Sequence, residues 1–154
     1  MAGIDVGADL PDLQLTGTEG TIRLHDYVGK PFVLYFYPKD DTAGCTREAQ
    51  EFSAALPEFE KAGAAVLGVS KDTVAKHAKF TAKYDLTVSL ASDLNDVIEA
   101  FGAWVPKVLY GREYMGVDRS TWLFDAEGKL AQIWRKVRVP GHVEQVLAAV
   151  KDLR

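Results

Sequence analysis

Phe32-Val-Leu-Tyr-Phe-Tyr37 and Ala64-Ala-Val-Leu-Gly-Val69 are continuous apolar runs of strand length, and the chain between them carries a helical stripe. Cys45, Ala49, Phe52, Leu56 and Phe59 recur at spacings of 4, 3, 4 and 3, one face of an α-helix. Strands without polar alternation are buried on both faces, as in a parallel sheet. Strand, helix and strand in this order make a βαβ unit, right-handed by default. Pro57 falls inside the stripe and is expected to kink or restart the helix, and Gly63 to stop it.

Working outward, a second helix is expected over 73–84, with Asp72 as its cap, then a weak strand over Thr87–Leu90. Ser92 and Asp93 can cap a short helix that presents Leu94, Val97, Ile98 and Phe101 and ends at Gly102. Residues 103–118, broken by Pro106, Gly111 and Gly116, read as irregular. Ser120–Phe124 and Lys129–Trp134 flank Asp125-Ala-Glu-Gly128 as a hairpin. Val143, Val146, Leu147 and Val150 mark a terminal helix. Leu13–Leu15 and Thr21–Leu24 around Gly17–Gly20 make an N-terminal hairpin. A β-hairpin, then βαβ with further helix, then ββα, is the pattern of an α/β thioredoxin-like fold: a central mixed sheet flanked by helices. By itself that pattern gives no function.

The 154 residues are the length of one domain, and residues 1–154 are read as one. With 18 basic and 22 acidic residues the net charge is −4, which gives no electrostatic reason to expect nucleic acid. No apolar run approaches the roughly 20 residues of a membrane helix. Met1–Leu10 carries Asp5 and Asp9 and has no basic stretch followed by an apolar one, so no signal peptide is expected and the reading is cytoplasmic. One cysteine, Cys45, excludes an internal disulfide, a CxxC pair and a cysteine-rich zinc site. His25, His77 and His142 lack ligand spacing. No metal, haem or nucleotide motif is present, so no cofactor is expected.

With Thr42 as N-cap, Cys45 is the third residue of the first helix. There the thiol faces unpaired N–H groups and the positive end of the helix dipole, both of which favour thiolate, the nucleophilic form. The Thr42 hydroxyl is placed to accept from a first-turn amide, and Gly44 lets the backbone approach a ligand closely. A lone cysteine on an apolar helix face is equally what a small core residue looks like. Asp40 and Asp41 are expected to point to solvent. Trp104, Trp122 and Trp134 read as core or pocket wall.

The segment Tyr35-Phe-Tyr-Pro-Lys-Asp-Asp-Thr-Ala-Gly-Cys45-Thr-Arg-Glu-Ala49 resembles the active-site segment of peroxiredoxins, through Pro38, Thr42 and Cys45. More narrowly it is similar to the bacterioferritin comigratory protein / peroxiredoxin Q group. The likeness continues through Leu67–Asp72, Ala100–Trp104, Tyr110–Arg112 and Asp118–Asp125, over roughly residues 8–150. The resemblance implies a thiol-dependent peroxidase acting on hydrogen peroxide and small alkyl hydroperoxides. It makes Cys45 the peroxidatic cysteine, which passes through a sulfenic acid. Thr42 would bond the peroxide, and Arg119 would place a fixed positive charge by the thiolate and the leaving oxygen. Pro38 would shield the thiolate, and the amides of Gly44 and Cys45 would complete the donors. Only the fit to the family selects Arg119 over Arg112 and Arg135. Relatives often carry a resolving cysteine at the position of Gln50 or near that of Thr81. With neither, the resemblance implies a one-cysteine mechanism reset by an external thiol (glutathione, glutaredoxin or thioredoxin) in a monomer or weak dimer. Ala43 stands where the family commonly has proline, and a slightly looser first turn is expected. The alternative is a redox-regulated binding protein or holdase with negligible turnover.

Overall fold

The computed structural model describes residues 3–153. The elements run β1 (Gln14–Gly17), β2 (Gly20–Arg23), a 3-10 turn (Leu24–Tyr27), β3 (Phe32–Phe36), α1 (Ala43–Lys61), β4 (Ala65–Ser70), α2 (Val74–Tyr84), β5 (Ser89–Ser92), α3 (Val97–Ala100), β6 (Trp104–Leu109), β7 (Arg112–Val117), β8 (Ser120–Phe124), β9 (Leu130–Trp134) and α4 (His142–Asp152). Seven strands form one sheet in the order β2-β1-β5-β4-β3-β8-β9, and β6 and β7 pair with each other. β3, β4 and β5 are parallel, while β8 runs antiparallel to β3 and β1 to β5. This is the mixed α/β thioredoxin-like sheet expected from the sequence.

The side-chain period of β3 divides the interior in two. Phe32, Leu34 and Phe36 enter a core with Leu24, Val97, Ile98, Phe101 and Trp122. Val33, Tyr35 and Tyr37 enter the opposite core, with Cys45, Ala49, Phe52 and Phe59 of α1, Phe80 of α2, and Val143, Val146 and Val150 of α4. Tyr35 stacks on Phe52 at 4.4 Å between ring centroids and lies across the neighbouring strand. Its register partner there is Gly68, where a Cβ would stand 2.5 Å from the Tyr35 ring.

Four local expectations are corrected. α1 does not restart at Pro57 but continues through it to Lys61. Proline has no N–H to give the carbonyl four residues back, that of Ser53. The Thr87 hydroxyl donates to the Ser53 carbonyl instead, at 3.2 Å, while the Ser53 hydroxyl accepts from the amides of Thr87 and Val88. The break in the helix ladder is thus used to dock the segment leading into β5. Thr87→Val should lower unfolding free energy by about 1 kcal/mol, and Pro57→Ala in that background should recover part of it, both read by urea denaturation. α1 ends in a Schellman arrangement, with Ala64 N donating to Phe59 O and Gly63 N to Glu60 O around a left-handed Gly63.

The cap of α2 is Thr73, whose hydroxyl accepts from Lys76 N, because Asp72 turns the other way to Ser70 and the Asp40 amide. The short helix α3 is held by Asp93, which accepts from the amides of Asn95, Val97 and Ile98, but Leu94 is exposed rather than part of the buried face. Residues 104–117, expected to be irregular, form the β6–β7 hairpin, closed by Tyr110 and Gly111 with both φ angles positive. Both strands are edges, so Pro106 removes no bond the hairpin needs, and Val108, Leu109, Tyr114 and Met115 are solvent-exposed.

Candidate active site

Cys45 lies in the first turn of α1, 2% exposed, with Thr42 as N-cap. Arg119, in the residue before β8, reaches across from the far side of β3. Its Nη2 donates to Cys45 Sγ at 3.2 Å and its Nη1 to Glu48 Oε1 at 2.7 Å. The backbone fixes this reach from both flanks. Asp118 N donates to Ala103 O, and Val137 N to Arg119 O. The Asp118 carboxylate accepts from Lys136 N. Arg112 is exposed on the β6–β7 hairpin, and Arg135 lies over the Trp122 ring at 4.9 Å, so neither holds the thiol.

Gly44 admits the guanidinium. A Cβ there would stand 3.2 Å from Arg119 Nη2, so the guanidinium would have to give by a few tenths of an ångström. Thr42 is exposed, and its hydroxyl does not cap the helix as expected. It donates back to Lys39 O at 2.9 Å, leaving the first-turn amides open. Pro38 is exposed on the rim of a groove of about 590 Å³, with Val105, Pro106, Lys107, Arg119 and Val137 among its other walls. Gln50 is exposed, and Thr81 lies on α2.

Glu48 was not singled out in the sequence, although it sits three residues after Cys45 on a stripe otherwise apolar. It is fully buried, and its Oε2 has no partner among the described residues. Burial pushes its pKa up to about 7, with Arg119 offsetting only part of that cost. For Arg119, burial opposes the charge, but Glu48 and Cys45 outweigh it and the pKa rises. Above pH 7 the two are an ion pair. Below it, the carboxyl takes up a proton beside Arg119.

His142, at the start of α4, shares a 2.7 Å hydrogen bond with Thr121 Oγ1 and is lowered to about 4, by burial and then by the Arg119 charge. Between pH 6.5 and 4 the unfolded chain takes a proton here that the folded chain refuses. Stability from this group is therefore present above 6.5 and lost as pH falls. Glu48 acts in the opposite sense, its contribution fading as pH rises from 4.5 to about 7. Urea midpoints at pH 5 and 6.5 should show a steeper gain with pH in Glu48→Gln than in the unsubstituted chain, and a loss of that gain in His142→Gln.

Asp40, expected in solvent, is buried instead. Its carboxylate meets the Tyr37 hydroxyl at 2.5 Å and His77 Nδ1 at 2.6 Å. Asp41 is the exposed one of the two and accepts from Lys83 and Tyr84 of α2. Of the tryptophans, Trp122 is core, and Trp104 and Trp134 are half-buried.

Among the described residues no helix is long and apolar enough to cross a membrane. The sequence profile of the AhpC/TSA family matches residues 6–133. The chain is 47% identical over 152 residues to peroxiredoxin Bcp of Bacillus subtilis, covering 97% of each. The structure of the Xanthomonas campestris bacterioferritin comigratory protein superposes with a TM-score of 0.88 at 44% identity, covering 96% of this chain and 98% of that one. Peroxiredoxin Q of Xylella fastidiosa superposes with a TM-score of 0.91 at 38% identity, covering 98% of both. The X. campestris peroxiredoxin Q has been solved with either of two cysteines replaced by serine, so it carries at least two where this chain has one. A half-buried arginine on a helix-initial cysteine, in a sheet and sequence shared along nearly the whole chain with these proteins, makes this chain a member of the AhpC/TSA family, a peroxiredoxin of the Bcp/peroxiredoxin Q group.

Proposed function

We propose that Cys45 is the peroxidatic nucleophile of a thiol-dependent peroxidase that takes hydrogen peroxide and small alkyl hydroperoxides and is reset by an external thiol. The observation that carries this reading is the 3.2 Å contact from Arg119 Nη2 to Cys45 Sγ in the first turn of a nineteen-residue helix. The Cys45 thiolate attacks one peroxide oxygen. The S–O bond forms, the O–O bond breaks, and the leaving oxygen departs as hydroxide or alkoxide and takes up a proton. Arg119 stabilises charge on sulfur and on the leaving oxygen, while the open amides of Gly44 and Cys45 and the Thr42 hydroxyl hold the peroxide in line. Pro38 limits water at the rim. An external thiol then displaces water from the sulfenic acid to give a mixed disulfide, and a second thiol releases Cys45. One cysteine in the chain supports that order of events. Alkyl peroxide reduction is the activity described for the X. campestris relative. The reading includes one domain over 1–154, a cytoplasmic setting, a monomer or weak dimer, and glutathione, glutaredoxin or thioredoxin as reductant.

Mass spectrometry of Cys45 after one equivalent of peroxide tests the assignment. A sulfenic acid, trapped as a mixed disulfide when glutathione is present, is expected. An unmodified thiol would overturn it.

A further inference from the structure

The segment from Pro38 to Thr42 carries two of the residues assigned to the peroxide, and its shape is set from the side away from Cys45. Asp40, midway along it, is buried, and both its carboxylate oxygens and its amide are engaged. One carboxylate oxygen meets the Tyr37 hydroxyl at 2.5 Å, the other meets His77 Nδ1 at 2.6 Å, and its amide donates to Asp72 Oδ2 at 2.8 Å. His77 is 1% exposed on α2, and its second nitrogen, Nε2, lies 3.0 Å from the carbonyl of Ala91 in β5. Both ring nitrogens therefore face acceptors, and the imidazole bridges the segment to the sheet. Asp72 is itself fixed by the Ser70 hydroxyl at 2.7 Å. No member of this network touches Cys45 or Arg119 by hydrogen bond. A buried polar network with its partners filled holds one geometry in place of many. Such a cost in buried polar groups, next to a segment that must hold a small reactant to a fraction of an ångström, has a functional use.

We infer that His77 and Asp40 are positioning residues for the peroxide reaction, the buried pair by which α2 and β5 set the Pro38–Thr42 segment around the incoming oxygen. This rests on the assignment of Cys45 as the peroxidatic nucleophile.

The test compares two rates on the same thiol in the intact chain. One is the second-order rate with hydrogen peroxide, which needs the Pro38–Thr42 geometry. The other is the rate of alkylation by iodoacetamide, which needs only the thiolate and access to it. His77→Gln keeps a donor towards Ala91 but loses Nδ1, whereas His77→Asn keeps a donor near the Nδ1 position. The peroxide-to-alkylation ratio should fall at least about tenfold in His77→Gln and be partly restored in His77→Asn. Asp40→Asn, which preserves shape, should lower the same ratio. Loss of thiolate would move both rates together, and loss of fold would raise alkylation of a thiol that is 2% exposed in the folded chain, so a ratio that falls with the alkylation rate unchanged separates positioning from general damage. A ratio unchanged in His77→Gln and Asp40→Asn, or Asn no better than Gln at position 77, would overturn the inference. An unsubstituted chain with no preference for peroxide over iodoacetamide would instead overturn the peroxidase reading beneath it.

Discussion

Cys45→Ser should consume peroxide no faster than a protein-free control containing the same thiol reductant. The reaction needs an anionic nucleophile, and a serine hydroxyl does not ionise near neutral pH without a base beside it. His142 bonds Thr121 and His77 is taken up by Asp40 and Ala91, so neither is free to serve as that base. Nor can another thiol substitute, since the chain has one cysteine. The exchange of sulfur for oxygen is nearly isosteric, and Arg119 Nη2 keeps an acceptor, so the melting temperature should move little. An unaltered melt with no peroxide consumption is the expected pair of results. Turnover retained in this variant would remove Cys45 from the chemistry.

Arg119→Ala has two separable effects. The peroxide rate should fall by about 10²–10³, the cost of removing one preorganised donor from developing charge. Stability should fall as well, because the substitution strands Glu48 in the core, and breaking a buried pair costs roughly 3–5 kcal/mol when the remaining charge is uncompensated. The sign with pH follows from Glu48, already raised to about 7 with Arg119 present. Without Arg119 the carboxyl loses the two influences that lower it and keeps its proton to a still higher pH, so at pH 6, where it is protonated in parent and variant alike, most of the loss is avoided. Above pH 7 the parent gains the ionised pair while the variant must hold its carboxyl protonated or bury an unpaired charge, so the loss grows. Urea denaturation at pH 6 and pH 8.5 should therefore show a gap between variant and parent that widens with pH. Adding Glu48→Gln to Arg119→Ala should close that gap and leave the peroxide rate low. A peroxide rate unchanged by Arg119→Ala would exclude the guanidinium from the reaction, and a stability gap independent of pH would exclude Glu48 as its source.

The sheet was legible because its centre is written in uninterrupted apolar runs, and α1 because its stripe keeps helical spacing for five residues. The residues carrying Cys45 chemistry were legible for a different reason: Pro38, Thr42, Gly44 and Cys45 lie within eight positions of one another, so local pattern holds them. Arg119 came only through family likeness, since the fold alone brings it 74 residues back to the thiol. The pairing of Asp40 with His77 spans 37 residues and has no local signature, and Asp40 beside Asp41 reads as a charged turn. Glu48 could have been found, because a carboxylate one turn after Cys45 interrupts a buried stripe. The β6–β7 hairpin escaped because both its faces are largely wet, so no apolar alternation marks it, and its one proline argues against strand.

The flat-lying ring of Tyr35 has a consequence for how this chain can vary. Tyr35 occupies the space that a side chain at position 68 would fill, and it braces Phe52, about two helical turns beyond Cys45 on α1. Positions 35 and 68 are therefore a single choice made on two strands. A methyl group added at 68 must be matched by a smaller residue at 35, and that exchange would release the helix that presents the thiol. Drift at either position alone is closed off, and drift at both reaches the active site through packing, without touching any residue that meets the peroxide.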